Sequence, residues 1–139
     1  MKRLLAAALV AIALTVPGAP ALAQNWNAQI AQTTQGYRVG DPDAPLQIIE
    51  FISYSCPHCA DFERQSEAEL RYLYVHEGFA AVEVRHLIRN PVDLAAALLT
   101  ECGEPDRFFD NHRAMLATQK RWLETADNLT DAQKNRWAS

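Results

Sequence analysis

The stretch Leu46-Gln-Ile-Ile-Glu-Phe-Ile-Ser-Tyr-Ser-Cys-Pro-His-Cys59 decides how the rest of the chain is read. Its first eight residues are largely apolar and rich in β-branched and aromatic side chains, which predicts a buried strand. Glu50 is the exception, a carboxylate in an apolar run. From residue 57 to about 75 the composition is helical, with Phe62, Leu70 and Leu73 as the expected inward stripe and Gly78 as the stop. Residues 79–87 alternate, with Ala81, Glu83 and Arg85 set against Val82, Val84 and His86, the period of a second strand. The crossover between the two strands is long enough for parallel pairing.

The Cys56-Pro57-His58-Cys59 motif therefore sits where a strand gives way to a helix. By itself a Cys-x-x-Cys pair is ambiguous between a half zinc site, a dithiol redox site and a structural pair. Structural zinc takes four Cys or His ligands, and a second closely spaced pair is missing; His76, His86 and Cys102 are scattered. Haem attachment needs His after the second cysteine, and position 60 is Ala. The redox reading has a physical basis. Cys56 lies at a helix N-terminus, where unpaired N–H groups and the dipole favour an anion, and the thiolate is the attacking form of cysteine. Pro57 preorganises the first turn, a protonated His58 would favour the thiolate further, and Cys59 stands one turn on, facing back.

Outward from this centre, 139 residues with 49% hydrophobic and 22% charged content exclude a disordered or polytopic membrane chain. A net charge of −4 argues against a nucleic-acid binder. Lys2 and Arg3, a 13-residue apolar run over 4–16, and Ala21-Leu22-Ala23 read as a cleaved secretory signal over residues 1–23; a membrane span needs about 20 residues. Removal of Lys2 and Arg3 takes the charge to −6 and leaves the cysteines to an oxidising compartment.

Residues 24–40 read as a polar lead-in, loose over 25–35, and residues 41–139 as the folded domain. Asn90 and Pro91 open a helix to about residue 102, closed by Gly103. Another helix is expected over 105–123, with Phe108, Phe109, Met115, Leu116 and Trp122 inward, and a short last one over 131–137. Cys102 reads as a buried helix residue and His112 as a packing or surface residue rather than a ligand.

Glu50-Phe51-Ile52-Ser53-Tyr54-Ser55-Cys56-Pro57-His58-Cys59, followed by Phe62-Glu63, closely resembles the active-site segment of DsbA-like thiol:disulfide oxidoreductases of the thioredoxin superfamily. Arg107-Phe108-Phe109 to Trp122 resembles that family's helical insertion. The resemblance implies an α/β thioredoxin-like fold with an insertion from about residue 91. It makes Cys56 the nucleophile, Cys59 its buried partner, and Glu50 an acid beneath the disulfide that assists proton movement to or from Cys59. Pro57 and His58 tune the pair. It also implies a periplasmic enzyme that donates its disulfide to reduced exported proteins, is reoxidised by a membrane partner, and needs neither metal nor organic cofactor. A reductase or isomerase, an inactive fragment and a metal-binding module are the alternatives. The family's cis-proline loop follows the insertion. Neither Pro91 nor Pro105 resembles it, so the chain is expected to be incomplete at its C-terminal end.

Overall fold

The computed structural model describes residues 24–130 together with 132, 133 and 136. The expected signal peptide, residues 1–23, and most of the expected helix over 131–137 lie outside the described residues. Among the described residues four strands and four α-helices follow one another: β1 Ile30–Gln32, β2 Tyr37–Gly40, β3 Leu46–Ile52, α1 Pro57–Glu69, β4 Ala80–His86, α2 Pro91–Thr100, α3 Phe108–Ala117 and α4 Gln119–Asp127. The α/β class expected from the sequence is the one observed.

The sheet order is β1-β2-β4-β3. β3 and β4 pair in parallel, from Leu46 opposite Ala80 to Ile52 opposite His86, while β2 runs antiparallel to β4 and β1 to β2. The register gathers Tyr37, Val39, Val82, Val84 and Ile52 on one face, where they meet Ala96, Ala97, Phe108, Phe109 and Leu116 from α2 and α3 in the core.

Several expectations need correction. The stretch over 25–35 is not loose: it holds a 3-10 turn at Trp26–Ala28 and β1, and β2 also lies within the 24–40 lead-in, so this region supplies half of the strands. Gly36 lets the hairpin return close to β4, since a Cβ there would stand 1.9 Å from the Val84 carbonyl oxygen. β3 is not a buried strand. Among the described strands it is at the sheet edge, and on one of its faces Ile49 is 48% and Phe51 59% exposed, the latter beneath the Arg85 guanidinium. Nor is residue 57 to 75 one uniform helix. A π-helical stretch, Leu70–Val75, ends it, with the His76 N–H donating to the Arg71 carbonyl. The inward face also differs from the expected stripe: Phe62 and Leu73 are exposed, and Cys59, Ala60 and Val75 pack inward instead.

The helix expected over 105–123 is a 3-10 turn, Pro105–Arg107, then α3 and α4 with a break at Thr118. The Thr118 hydroxyl donates back to the Ala114 carbonyl, a bond that competes with helix continuation. The break turns the Gln119 side chain inward. Asn90 caps α2 as expected, its side chain accepting from the Asp93 N–H at 2.9 Å. Cys102 is exposed rather than buried, because α2 ends two residues before it.

Candidate active site

β3 delivers Ser53, Tyr54 and Ser55 to the start of α1, where Cys56 is the N-cap residue in extended conformation and Pro57 occupies the first turn. The Cys56 carbonyl accepts from the Cys59 N–H at 3.1 Å, and the Gln119 side-chain amide donates to the Tyr54 and Cys56 carbonyls at 2.7 and 2.8 Å. The loop is thereby tied to α4. All three cysteines are free thiols, with Cys56 and Cys59 half-buried.

The two thiols are held apart in acidity. The Cys59 N–H, which points at the sulfur, does most to bring the Cys56 thiol down against some burial; the His58 N–H, the Cys59 thiol and the Arg89 charge act the same way. Burial pushes the Cys59 thiol up. One sulfur thus favours the thiolate and its neighbour the protonated form. The His58 side chain is exposed, and it is the backbone N–H of His58 that acts on Cys56.

Behind the loop lies a fully buried carboxylate. Asp93 has an exposure of 0%. Its Oδ1 accepts from the Ser53 hydroxyl and the Ser55 N–H, both at 2.8 Å, and its Oδ2 from the Arg89 N–H at 3.0 Å. Burial opposes ionisation there, but these donors prevail and hold the carboxyl below its ordinary range. Arg89, Asp93 and Gln119 were not read from the sequence as site residues. In the sequence Asp93 is an ordinary acid in the first turn of a helix, and its serine partners are 38 and 40 positions away.

Glu50 lies on the covered face of the sheet and lines a cavity of about 210 Å³ together with Glu63, Val84, Phe109 and His112. His112 is buried, with Nδ1 against the Tyr54 hydroxyl at 2.9 Å and Nε2 3.6 Å from a Glu63 oxygen. No hydrogen bond joins Glu50 to either cysteine among the described residues; its electrostatic neighbour is Glu63. Burial first, then the Glu63 charge, pushes the Glu50 carboxyl from 4.5 up to about 7.

Between pH 4.5 and about 7 the unfolded chain has released the Glu50 proton and the folded protein keeps it, so stability falls as pH rises through that window. Glu50→Gln removes this loss. In urea unfolding it should stabilise the protein at pH 8 by roughly 1–3 kcal/mol and leave it nearly unchanged at pH 4. An equal shift at both pH values would contradict the account.

A strand, a tight turn and a helix that begins on Cys-Pro-His-Cys define a thioredoxin-type dithiol centre. Residues 32–138 match the thioredoxin family, and the chain belongs to it. A protein of Rickettsia conorii, provisionally named a protein-disulfide oxidoreductase, is 31% identical over 111 residues, 74% of this chain and 40% of its own length. The crystal structure of a protein-disulfide isomerase from Novosphingobium aromaticivorans superposes with a TM-score of 0.67 at 43% identity, over 73% of this chain and 52% of that one. Wolbachia pipientis alpha-DsbA1 shares the fold, with a TM-score of 0.56 at 24% identity over 71% of this chain and 57% of its own. The chain thus spans well under half of the curated relative and about half of the isomerase.

Proposed function

We propose that this chain carries the reactive centre of a thiol:disulfide oxidoreductase that donates a Cys56–Cys59 disulfide to exported proteins in the periplasm. The observation that carries this reading is the unequal acidity of the two thiols at the start of α1. In the oxidised protein a substrate thiolate attacks Cys56 Sγ, the Cys56–Cys59 bond breaks, and Cys59 leaves as a thiolate that takes up a proton. A second substrate thiolate then attacks the substrate sulfur of the mixed disulfide and expels Cys56 as a stable thiolate. Two electrons pass from the substrate dithiol to the protein, which leaves as the dithiol. A leaving group that is comfortable as an anion drives this direction. Pro57 and His58 shape the helix start that supplies this stability. Glu50 serves the same chemistry as a proton reservoir on the covered side of the sheet. A membrane partner would reoxidise the dithiol.

Export is the expectation that the signal-like pattern of residues 1–23 supplies; no helix among the described residues is long and apolar enough to cross a membrane.

The Novosphingobium relative's name favours a second reading, a disulfide isomerase or reductase. Equilibration of the purified protein with glutathione buffers separates the two. A potential near about −120 mV is expected for a donor of disulfides, and one near about −270 mV, as in thioredoxin, would overturn the donor reading.

A further inference from the structure

The Cys56 loop is backed by a polar clamp centred on Arg89. Arg89 stands between the end of β4 and the start of α2. Its Nε donates to the Ser53 hydroxyl oxygen at 2.9 Å, its Nη2 to the Ser55 hydroxyl oxygen at 3.3 Å, and Nε lies 3.7 Å from Asp93 Oδ2. Asn90 Nδ2 donates to the same Ser55 oxygen at 2.9 Å. The guanidinium is 47% exposed and Asp93 is fully buried.

The order of protons in this clamp is dictated by Asp93. Because Oδ1 takes the Ser53 hydroxyl proton, that hydroxyl must present a lone pair, and Arg89 Nε is the donor that meets it. The backbone N–H of Arg89 is bound to the other carboxylate oxygen, so both ends of the residue are held. An exposed arginine would otherwise sample many rotamers and spread its charge over them.

We propose that Arg89 is the cation that stabilises the Cys56 thiolate and that Asp93 is a positioning residue acting through it. The Arg89 guanidinium donates to the hydroxyl of Ser55, the residue directly before Cys56, so its charge is held beside the loop that carries the sulfur, where it adds to the larger effect of the backbone N–H groups. The clamp sets where that charge stands relative to the loop, because the serines that hold it are one and three residues before Cys56 in the chain. Asp93 is itself negative, so direct electrostatics would disfavour the thiolate; an aspartate here assists only by fixing Arg89. The inference rests on the reading of Cys56 as the reactive sulfur.

The test is the thiolate fraction of Cys56 in the full chain, read from absorbance at 240 nm and from the iodoacetamide alkylation rate near pH 5. Neither readout needs disulfide transfer to a substrate, so failure of the oxidoreductase reading would be seen separately, as a wild-type protein inert toward reduced proteins. Arg89→Gln, at a partly exposed position, should fold and lower the thiolate fraction about threefold, about half a pKa unit. Arg89→Lys keeps the charge without the fork and should fall between the two. Asp93→Asn places an amide against the Ser55 and Arg89 N–H groups; it should lower the thiolate fraction in the wild-type background and cause no further loss in the Arg89→Gln background. A thiolate fraction unchanged in Arg89→Gln overturns the proposal, as does an Asp93→Asn loss of equal size in both backgrounds. Should Asp93→Asn fail to fold, the Gln and Lys variants of Arg89 still decide the role of the cation.

Discussion

Cys56→Ser should lower the rate of disulfide transfer to a reduced protein by at least about three orders of magnitude. The substitution removes the sulfur that a substrate thiolate must attack, and a serine oxygen can neither form the internal disulfide nor leave as a stable anion at neutral pH. The fold should survive it. Cys56 is the N-cap of α1, a position where serine is among the preferred residues, and the native thiol makes no side-chain capping bond that would be lost. An activity loss can therefore be read as chemistry rather than unfolding, provided circular dichroism matches wild type. Cys59→Ala should differ in kind: given a disulfide-bonded protein, its Cys56 thiolate attacks one sulfur of that disulfide and expels the other as a thiolate, and with no internal thiol to resolve it the mixed disulfide accumulates. Retention of disulfide-forming activity by purified Cys56→Ser would end the oxidoreductase reading.

The largest effect on stability is expected at Phe108, which is 1% exposed. Its ring stacks on Tyr37 with centroids 4.0 Å apart and planes 6° from parallel, meets Phe109 edge-on at 5.2 Å, and lies 5.8 Å from His112. One side chain thus joins the second strand to the third helix and supports the histidine that holds Tyr54. Phe108→Ala loses the burial of an aromatic side chain and leaves a cavity that these neighbours cannot all close. The expected cost is about 3–5 kcal/mol, a large share of the 5–15 kcal/mol typical of a domain. Urea unfolding followed by tryptophan fluorescence measures it, with Phe51→Ala on the uncovered sheet face as the control that should change little. A loss at Phe108 no larger than at Phe51 would show that the aromatic cluster does not hold the two layers together.

The parts of this molecule legible in the sequence are those written in local patterns. Alternation over 79–87 announced β4, the apolar run before Cys56 announced β3, and the crossover between them allowed the parallel pairing that is observed. Asn90 and Pro91 marked the start of α2 because capping is decided within four residues. Phe108, Phe109 and Leu116 were placed inward from their helical spacing and are buried. What escaped depends on distance. β1 and β2 have three and four residues, too few to show a period, and Gln and Thr around them look like loop. Burial of β3 was overestimated because hydrophobicity does not say whether both faces are covered. Asp93 and Gln119 looked like ordinary helix residues. Their meaning lies in bonds to Ser53, Ser55, Tyr54 and Cys56, which only the folded chain brings near.

The sheet order also carries a consequence for cooperativity. Among the described residues β4 pairs on both sides, whereas β3, which leads into the reactive cysteine, pairs on one side. Loss of β4 would part β3 from β1 and β2. Loss of β3 breaks one ladder and leaves the three antiparallel strands joined. Within these four strands, the one that carries the chemistry can thus open without undoing the others, at a free energy below that of global unfolding. The Asp93 and Gln119 bonds to the loop raise that local cost from the helical side. They fasten the end of a strand that the sheet alone holds by one edge.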